Sequence, residues 1–207
     1  MNIRIKICGV TSADDALAAV DAGADLIGLN FVPGTPRFLE VRAAISIAER
    51  VAGQAERVAV FRDAPPEDIE RVVRRVEVER VQLHGSEEPE EVQEIDLPTI
   101  KVLRGVDPEA AAAYPGSLLL LDHPVEEAGS GQTWEWSEAG VLIEEGYDVI
   151  IAGGLAPDNV AEALRGVGDL LPWGVDVASG VESEKRIKSF EKMRAFVKAV
   201  REVEASD

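Results

Sequence analysis

The sequence predicts an α/β fold, a single-domain (β/α)8 TIM barrel, from three observations. Short segments rich in Val, Ile and Leu recur eight times, and their starts lie 18 to 32 residues apart, about the length of one strand–helix unit. Segments with helical periodicity lie between most of them. The chain of 207 residues shows no linker and no shift in composition, so we expect one barrel domain over residues 1–207. An open doubly wound sheet is the alternative, although it usually has fewer strands at this length.

The first predicted strand covers residues 3–8, where apolar residues alternate strictly with others. A strand has a period of two, so its three isoleucines share one face, while Arg4, Lys6 and Cys8 share the other. The Cys8 thiol is then the last inward group before a glycine turn. The other predicted strands cover residues 25–31, 57–61, 80–84, 99–103, 117–122, 148–152 and 173–177.

Eight helices are predicted from apolar periodicity and from residues that favour helix starts. Thr11 or Ser12, followed by Asp14 and Asp15, suits a helix N-terminus, and Pro157 suits a first helical position. The predicted helices cover residues 12–22, 41–52, 66–76, 88–95, 108–113, 137–145, 157–164 and 184–204.

Composition limits the partners and the compartment. At 46% hydrophobic the chain can bury a sizeable core, yet no apolar run approaches a membrane span and the N-terminus lacks a signal-peptide pattern. We therefore expect a cytoplasmic protein, a monomer or a homodimer, with no membrane partner. The formal net charge of −18 disfavours nucleic acid as a partner. Fifteen arginines against six lysines on an acidic chain fit a cytoplasm with high salt, and an ordinary acidic protein is the alternative.

The cysteine and histidine content excludes disulfide and metal chemistry from the prediction. Cys8 is the only cysteine, and His84 and His123 are the only histidines, so no pair has metal-site spacing and we expect no metal and no cofactor. A lone cysteine is most simply a buried structural residue. Its place at the carboxyl end of a strand makes a functional role an equal alternative.

Candidate site residues follow from one property of parallel barrels. Their active sites are built from strand carboxyl ends and from the loops that follow. That rule selects Cys8, the loop over residues 30–38, His84, Asp122, Gly153 with Gly154, and residues 176–180. Each has a structural alternative: Asp122 as a loop cap, His84 as a hydrogen-bonded rim residue, and Arg37 in the 30–38 loop as a solvated surface residue.

Two glycine-bearing stretches predict a phosphorylated ligand. Gly153-Gly154 follows the seventh predicted strand, and Ser179-Gly180 follows the eighth. Glycine lets backbone N–H groups approach and cradle an anion, and this barrel often binds phosphate with these two loops. A single Gly-Gly pair is usually just a turn, but two such loops at these positions point to a small-molecule substrate that carries a phosphate.

These segments together resemble phosphoribosylanthranilate isomerase, an enzyme family of tryptophan biosynthesis built on this barrel. The motifs that carry the resemblance are Lys6-Ile7-Cys8-Gly9, Asn30-Phe31 with Thr35-Pro36-Arg37, Val58-Ala59-Val60-Phe61, Gln82-Leu83-His84-Gly85, Leu121-Asp122, Gly129-Ser130-Gly131 with Trp134-Glu135-Trp136, Ala152-Gly153-Gly154-Leu155 and Asp176-Val177-Ala178-Ser179-Gly180-Val181-Glu182. One such motif is weak, but several in the right order are specific.

The resemblance implies an Amadori rearrangement of N-(5-phosphoribosyl)anthranilate to the 1-deoxyribulose phosphate product, without a cofactor. It implies that the Cys8 thiolate is the general base and protonated Asp122 the general acid. It further implies that Arg37 holds the anthranilate carboxylate and that Asp176 and His84 line the cavity. The implied phosphate-binding residues are Gly153, Gly154, Ser179 and Gly180.

The chain departs from the family pattern in two places. After Glu182 the family usually has Pro-Gly before Lys-Asp, whereas here Ser183-Glu184-Lys185-Arg186 follows at once, so arginine is expected in place of the aspartate. Trp134 stands where the family more often has phenylalanine.

The pKa of free cysteine is about 8.5, so a thiolate that works at neutral pH benefits from a nearby positive charge. We hypothesise that Lys6, one layer below Cys8 on the same inward face, helps hold the thiolate and also anchors Asp176.

Two other functions stay open. A histidine-pathway or bifunctional phosphoribosyl isomerase performs the same rearrangement on the same fold. The histidine-pathway family, however, relies on an aspartate at the first strand, where this chain has Cys8. A non-catalytic phosphate-binding barrel, serving as a subunit for a partner, has no need of Cys8 and Asp122.

Overall fold

The computed structural model, which describes residues 2–124 and 133–206, is a closed parallel barrel of eight strands surrounded by helices. Each strand pairs with its sequence neighbours, and β1 pairs with β8 to close the ring. The predicted (β/α)8 fold is therefore confirmed. The barrel strands are β1 Arg4–Cys8, β2 Leu26–Asn30, β3 Glu56–Phe61, β4 Arg80–Leu83, β5 Thr99–Arg104, β6 Leu118–Asp122, β7 Val149–Ile151 and β8 Gly174–Val177.

In the described ranges eight α-helices follow the strands, most within a few residues of the predicted bounds. They are α1 Ala13–Ala22, α2 Val41–Val51, α3 Pro66–Val76, α4 Pro89–Gln93, α5 Pro108–Ala112, α6 Gly140–Glu144, α7 Val160–Gly166 and α8 Phe190–Glu204. The predicted N-terminal signal of α1 is confirmed, because the Ser12 side chain accepts a hydrogen bond from the Asp15 N–H. A 3₁₀ turn, Trp136–Ala139, leads into α6. None of the helices in the described ranges has the length and apolar character needed to cross a membrane.

Three predicted helix starts are wrong. Helix α6 begins at Gly140 instead of residue 137, because the preceding residues form the 3₁₀ turn Trp136–Ala139. Helix α7 begins at Val160 instead of Pro157, because residues 157–159 form a turn in which the Asn159 side chain accepts from the Ala156 N–H at 2.7 Å. Helix α8 begins at Phe190 instead of residue 184, because the chain first forms a hairpin of two short strands, β9 Glu182–Glu184 and β10 Ile187–Lys188.

The hairpin also sets the positions of the two lysines and the arginine that follow Glu182. Lys185 and Arg186 form the turn, where Arg186 has a φ of 79°, and the lysine that packs into the protein is Lys188. Ser189 follows it and caps α8 by accepting from the Lys192 N–H. The residue that stands after the buried lysine is therefore a serine, and its oxygen caps the helix in the way that an aspartate does.

Two apolar layers cover the barrel strands, one on the outer face of the sheet and one inside the barrel. The outward faces, including Ile5 and Ile7 of β1 and Ile3 just before it, pack against the helices in the larger core. The inward faces form a second cluster, whose members are Leu26, Val58, Ile100, Val102, Leu118, Leu120, Ile150 and Ala152. The alternation predicted for β1 is confirmed, since Ile3, Ile5 and Ile7 are buried in the outer layer while Lys6 is buried beside Asp176.

A buried ion pair fixes the loop that follows β4. The Lys101 ammonium on β5 donates to the Glu87 carboxylate at 2.6 Å and to the Gly85 carbonyl at 2.8 Å. Glu87 also accepts from the N–H groups of Asp63 and Gly85, at 2.9 Å and 3.0 Å. These contacts join the loops after β3 and β4, and so they set the position of His84 at the barrel mouth.

We expect Lys101→Met to destabilise the protein by about 3–5 kcal/mol, because the change leaves the Glu87 carboxylate buried without its cation. The free energy of unfolding is measured by urea titration. Lys198→Met is the matched control, since Lys198 and its partner Glu202 are mostly exposed, and it should change stability by less than about 0.5 kcal/mol. Equal effects of the two substitutions would contradict this account of the loop.

Candidate active site

A cavity of about 180 Å³ lies at the carboxyl ends of the strands, as expected for this barrel. It is lined by every residue that the sequence assigned to the site except Gly180, which lies in the adjacent turn after β8. The assigned residues that line it are Cys8, Arg37, His84, Asp122, Gly153, Gly154, Asp176 and Ser179. The Gly129-Ser130-Gly131 motif lies outside the described residues.

Cys8 ends β1 above a buried ion pair. Lys6 is fully buried, and its ammonium donates to the Asp176 carboxylate at 2.8 Å across the β1–β8 seam. The charge of Lys6 also acts on the Cys8 thiol. On β2, Gly28 makes room for the thiol, because a Cβ at that position would lie 2.8 Å from Sγ. Cys8 is thus held between a cation below it and a glycine beside it.

The surroundings of Cys8 favour the neutral thiol. Burial raises the pKa of Cys8, the Lys6 charge lowers it, and the Asp176 carboxylate raises it again. Burial by itself would lower the pKa of Lys6, but the Asp176 carboxylate raises it overall, so Lys6 is a permanent cation. The geometry supports the hypothesis that Lys6 anchors Asp176. It supports only in part the idea that Lys6 ionises Cys8, since the pKa of the thiol stays above its ordinary value.

Asp122 ends β6 and is held as a carboxylate. Its oxygens accept from the His123 N–H at 2.8 Å and from the Arg104 guanidinium at 3.2 Å, and His84 Nε2 lies 3.4 Å away. Burial would raise the pKa of Asp122, but the hydrogen bonds from His84 and His123 and the charges of His84 and Arg104 lower it below its ordinary value.

His84 follows β4 and lies between two side chains. Its Nδ1 is 3.4 Å from the Gln82 amide nitrogen, and its Nε2 faces Asp122. His84 is therefore an oriented part of the cavity wall.

The loop after β7 is shaped by its two glycines. Gly153 and Gly154 have φ values of 79° and 71°, in the left-handed region that favours glycine. A Cβ on Gly153 would lie 2.8 Å from the His123 nitrogen and 3.0 Å from Asp122 Oδ1. Among the described residues, neither glycine N–H donates a backbone hydrogen bond within the protein. This loop thus packs against Asp122 and keeps its own N–H groups available to a ligand.

Two tryptophans hold the same loop by its carbonyl groups. The Trp134 indole donates to the Ala152 carbonyl at 2.9 Å, and the Trp136 indole donates to the Gly153 carbonyl at 3.0 Å. Because phenylalanine has no N–H donor, Trp134 adds a contact that the more usual family residue lacks. The carbonyl side of the loop is satisfied by these indoles.

The turn after β8 lies against the loop after β7. Ser179–Val181 forms a short 3₁₀ turn, and a Cβ on Gly180 would lie only 2.0 Å from the Leu155 carbonyl oxygen. Only glycine fits at this close approach. The two loops that the sequence paired as a phosphate site are therefore in direct contact.

Arg37 reaches the cavity from the loop after β2 and forms a bidentate ion pair with Glu182. Arg37 Nε and Nη2 donate to the two Glu182 oxygens at 2.7 Å and 2.8 Å. This hydrogen-bonded pairing lowers the pKa of Glu182, to which Lys188 contributes as well. The solvated surface alternative for Arg37 is wrong, since its side chain is only 13% exposed.

Sequence reasoning missed four residues that shape the site. Arg104 ends β5 and Arg62 follows β3, so the strand-end rule would have selected both if it had been applied to those two strands. Glu182 and Lys188 carry no comparable signal, because they act on Arg37 from a hairpin that the sequence pattern assigned to a helix. Among the described residues, no three His, Cys, Asp or Glu side chains form a group that could hold a metal ion.

Comparison with known proteins identifies the family. Residues 5–199 match the family model described as N-(5'-phosphoribosyl)anthranilate (PRA) isomerase. The N-(5'-phosphoribosyl)anthranilate isomerase of Myxococcus xanthus is 43% identical over 211 residues, which cover 98% of each chain. The crystal structure of phosphoribosyl anthranilate isomerase from Thermus thermophilus has a TM-score of 0.88 at 38% identity, covering 97% of this chain and 100% of that one.

A further solved structure is that of a phosphoribosyl anthranilate isomerase in complex with reduced 1-(o-carboxyphenylamino)-1-deoxyribulose 5-phosphate. It has a TM-score of 0.85 at 32% identity and covers 97% of this chain and 99% of that one. The family resemblance that the motifs indicated is confirmed by all three relatives and by the family model. The chain therefore belongs to the N-(5'-phosphoribosyl)anthranilate isomerase family.

Proposed function

We propose that this protein catalyses the Amadori rearrangement of N-(5'-phosphoribosyl)anthranilate to 1-(2-carboxyphenylamino)-1-deoxyribulose 5-phosphate in tryptophan biosynthesis. One observation carries the proposal beyond family membership. Cys8 at the end of β1 and Asp122 at the end of β6 line one cavity together with the glycine loop after β7 and the turn after β8. An acid, a base and an anion cradle are the groups that this rearrangement of a sugar phosphate requires.

The chemistry divides between the two ionisable groups. Asp122 delivers a proton to the ribose ring oxygen, the C1–O bond breaks, and the nitrogen lone pair forms a C1=N iminium. The iminium acidifies the C2–H, and the Cys8 thiolate removes that proton to give an enolamine, which tautomerises to the ketone product. Cys8 and Asp122 lie on strands one and six of the ring, so they can approach the sugar from different sides. The substrate's own amine activates the sugar, so the mechanism uses no cofactor.

The substrate's two anionic ends match two parts of the cavity. The phosphate is placed on Gly153, Gly154, Ser179 and Gly180, where two loops meet and glycine N–H groups are available. The anthranilate carboxylate is placed on Arg37, at the opposite end of the substrate. Asp176 and His84 line the space between them. In this placement the ribose lies over Cys8 and Asp122.

The protonation states that the protein's own groups favour are the reverse of those that the reaction uses. The cavity raises the pKa of Cys8 and lowers that of Asp122, so the resting pair is a thiol and a carboxylate. The active pair, thiolate and carboxylic acid, holds the same single proton on the other partner. The reaction therefore proceeds from a minor tautomer of the resting enzyme, or substrate binding shifts the proton from Cys8 to Asp122.

The setting of the enzyme follows from composition. The net charge of −18 supports an acidic surface adapted to high salt, in an enzyme that we place in the cytoplasm. The cationic groups that face the cavity, Arg37, Arg62 and Arg104, then provide the local attraction for a doubly anionic substrate that the rest of the surface repels.

Turnover of N-(5'-phosphoribosyl)anthranilate by the wild type, Cys8→Ser and Asp122→Asn tests the function and the mechanism. We expect the wild type to be active and each variant to lose about a hundredfold to ten-thousandfold in kcat, because each lacks one proton-transfer group. An assay with the corresponding histidine-pathway substrate separates the alternative isomerase. An inactive wild type would overturn the function, and equal activity in all three proteins would overturn only the assigned roles.

Gly153→Ala tests the contact between the phosphate loop and the acid. The new methyl group would lie against the His123 nitrogen and Asp122, so kcat/KM should fall more than tenfold. Gly146→Ala is the matched control: its φ of 90° imposes similar backbone strain, but no atom lies within 4 Å of its Cβ position and it is remote from the cavity. Both should lose thermal stability, Gly153→Ala by more because steric overlap adds to the backbone strain, and similar activity in the two variants would contradict the contact.

The dependence of kcat/KM on pH tests the reversed protonation. Because the pKa of Asp122 lies below the ordinary aspartate value of about 3.9 and that of Cys8 above the ordinary cysteine value of about 8.5, the pair holds one proton at every pH between them. The activity should therefore be level across neutral pH. It should fall at acid pH as Asp122 takes up a second proton and at alkaline pH as Cys8 loses the last one. In Lys6→Met the alkaline fall should move to higher pH, since the cation that lowers the pKa of Cys8 is gone.

A narrow bell centred near neutrality would contradict the reversed assignment, because it would require a raised pKa for Asp122 and a lowered pKa for Cys8. An alkaline fall that Lys6→Met leaves unmoved would show that Cys8 does not titrate there. Substrate ionisation is common to both proteins, so the difference between their profiles belongs to the enzyme.

A further inference from the structure

The contact between Arg37 and Glu182 uses only one edge of the guanidinium. Glu182 accepts from Nε and Nη2, and among the described residues the hydrogen bonds of Arg37 involve these two nitrogens alone. A guanidinium carries five N–H donors, and its end formed by Nη1 and Nη2 can bind a second carboxylate in a bidentate way. Glu182 therefore occupies Arg37 without using up its capacity for an anion.

The two residues lie on different sides of the cavity wall. Arg37 lines the cavity, whereas Glu182 does not and is only 8% exposed. The Arg37 stem passes across Gly9, where a Cβ would lie 2.3 Å from Arg37 Cδ. The side chain is thus held between the glycine next to Cys8 and the carboxylate behind it.

Lys188 gives this group a net positive charge. Its buried ammonium donates to the Ala178 carbonyl at 2.8 Å and lies 3.2 Å from Glu182 Oε1. The Glu182 backbone carbonyl accepts from the Lys192 ammonium at 2.6 Å, which fixes the start of the hairpin. One carboxylate between two cations leaves a charge of +1 beside the cavity, whereas Arg37 and Glu182 without Lys188 would form a neutral pair.

We propose that Glu182 and Lys188 are positioning residues that give the site its preference for a substrate with an aryl carboxylate. Glu182 holds the inner edge of Arg37 so that the Nη1–Nη2 end faces the substrate, and Lys188 preserves the positive charge that attracts the carboxylate. Neither residue touches the substrate. The inference rests on the proposed function, which places the anthranilate carboxylate on Arg37.

The test compares two ligands that differ only in the carboxylate. One is reduced 1-(o-carboxyphenylamino)-1-deoxyribulose 5-phosphate, and the other is the same compound with an unsubstituted phenyl ring. Dissociation constants are measured by calorimetry for the wild type, Glu182→Gln, Arg37→Ala and the double variant. Glu184→Gln is the matched control, since Glu184 lies on the same hairpin and is exposed.

We expect Glu182→Gln to weaken binding of the carboxylate ligand by about tenfold to a hundredfold. A glutamine amide cannot accept from both Arg37 nitrogens, so the guanidinium loses its fixed orientation. The phenyl ligand should bind the wild type and Glu182→Gln within about twofold. Arg37→Ala should lose the same preference, and the double variant should lose no more than Arg37→Ala alone, since both changes remove one interaction. Lys188→Met should show a smaller loss, again confined to the carboxylate ligand.

Equal weakening of both ligands by Glu182→Gln would mean that the hairpin has only a structural role, and it would overturn the proposal. If Glu182→Gln does not fold, as shown by its thermal unfolding, Glu182→Asp keeps the charge, shortens the reach and should show the same selective loss. If Arg37→Ala binds both ligands as the wild type does, the carboxylate is bound elsewhere, and the failure lies in the proposed placement of the substrate instead of in the role of Glu182.

Discussion

The buried ion pair between Lys6 and Asp176 is the interaction on which the site depends. It joins β1 to β8, the one seam that connects the two ends of the barrel sequence, and it lies directly below Cys8. A buried charge is costly unless it is paired, so each partner holds the other at a defined depth inside the barrel. The pair therefore couples closure of the ring to the electrostatic environment of the thiol.

The same principle recurs around the barrel mouth. Lys101 with Glu87 fixes the loop that carries His84, and Lys188 with Glu182 fixes the guanidinium of Arg37. Each is a buried or nearly buried lysine whose carboxylate partner also accepts hydrogen bonds from a neighbouring loop or side chain. A chain with only six lysines thus uses three of them inside the protein, where they position groups instead of adding surface charge.

Most of the fold could be predicted from the sequence because its signals are local. The eight apolar segments match the eight barrel strands within about one residue at each end, since alternation and strand length report burial directly. The start of α8 could not be predicted in this way. Residues 184–189 contain charged side chains compatible with a helix, and only the burial of Lys188 against Glu182 makes the chain form a hairpin there.

The active-site cavity also combines features that the sequence could predict with features that it could not. Cys8, Asp122 and the glycines after β7 and β8 were predicted because a parallel barrel brings all strand carboxyl ends to one face. Their protonation states could not be predicted, because burial, hydrogen bonds and neighbouring charges decide them, and these come from strands far apart in sequence. The sequence by itself determined the strand order, the inward face of β1 and the candidate site residues. Only the tertiary structure decided which charges stand next to Cys8, Asp122 and Arg37, because Coulomb interactions depend on distance in space and not on separation along the chain.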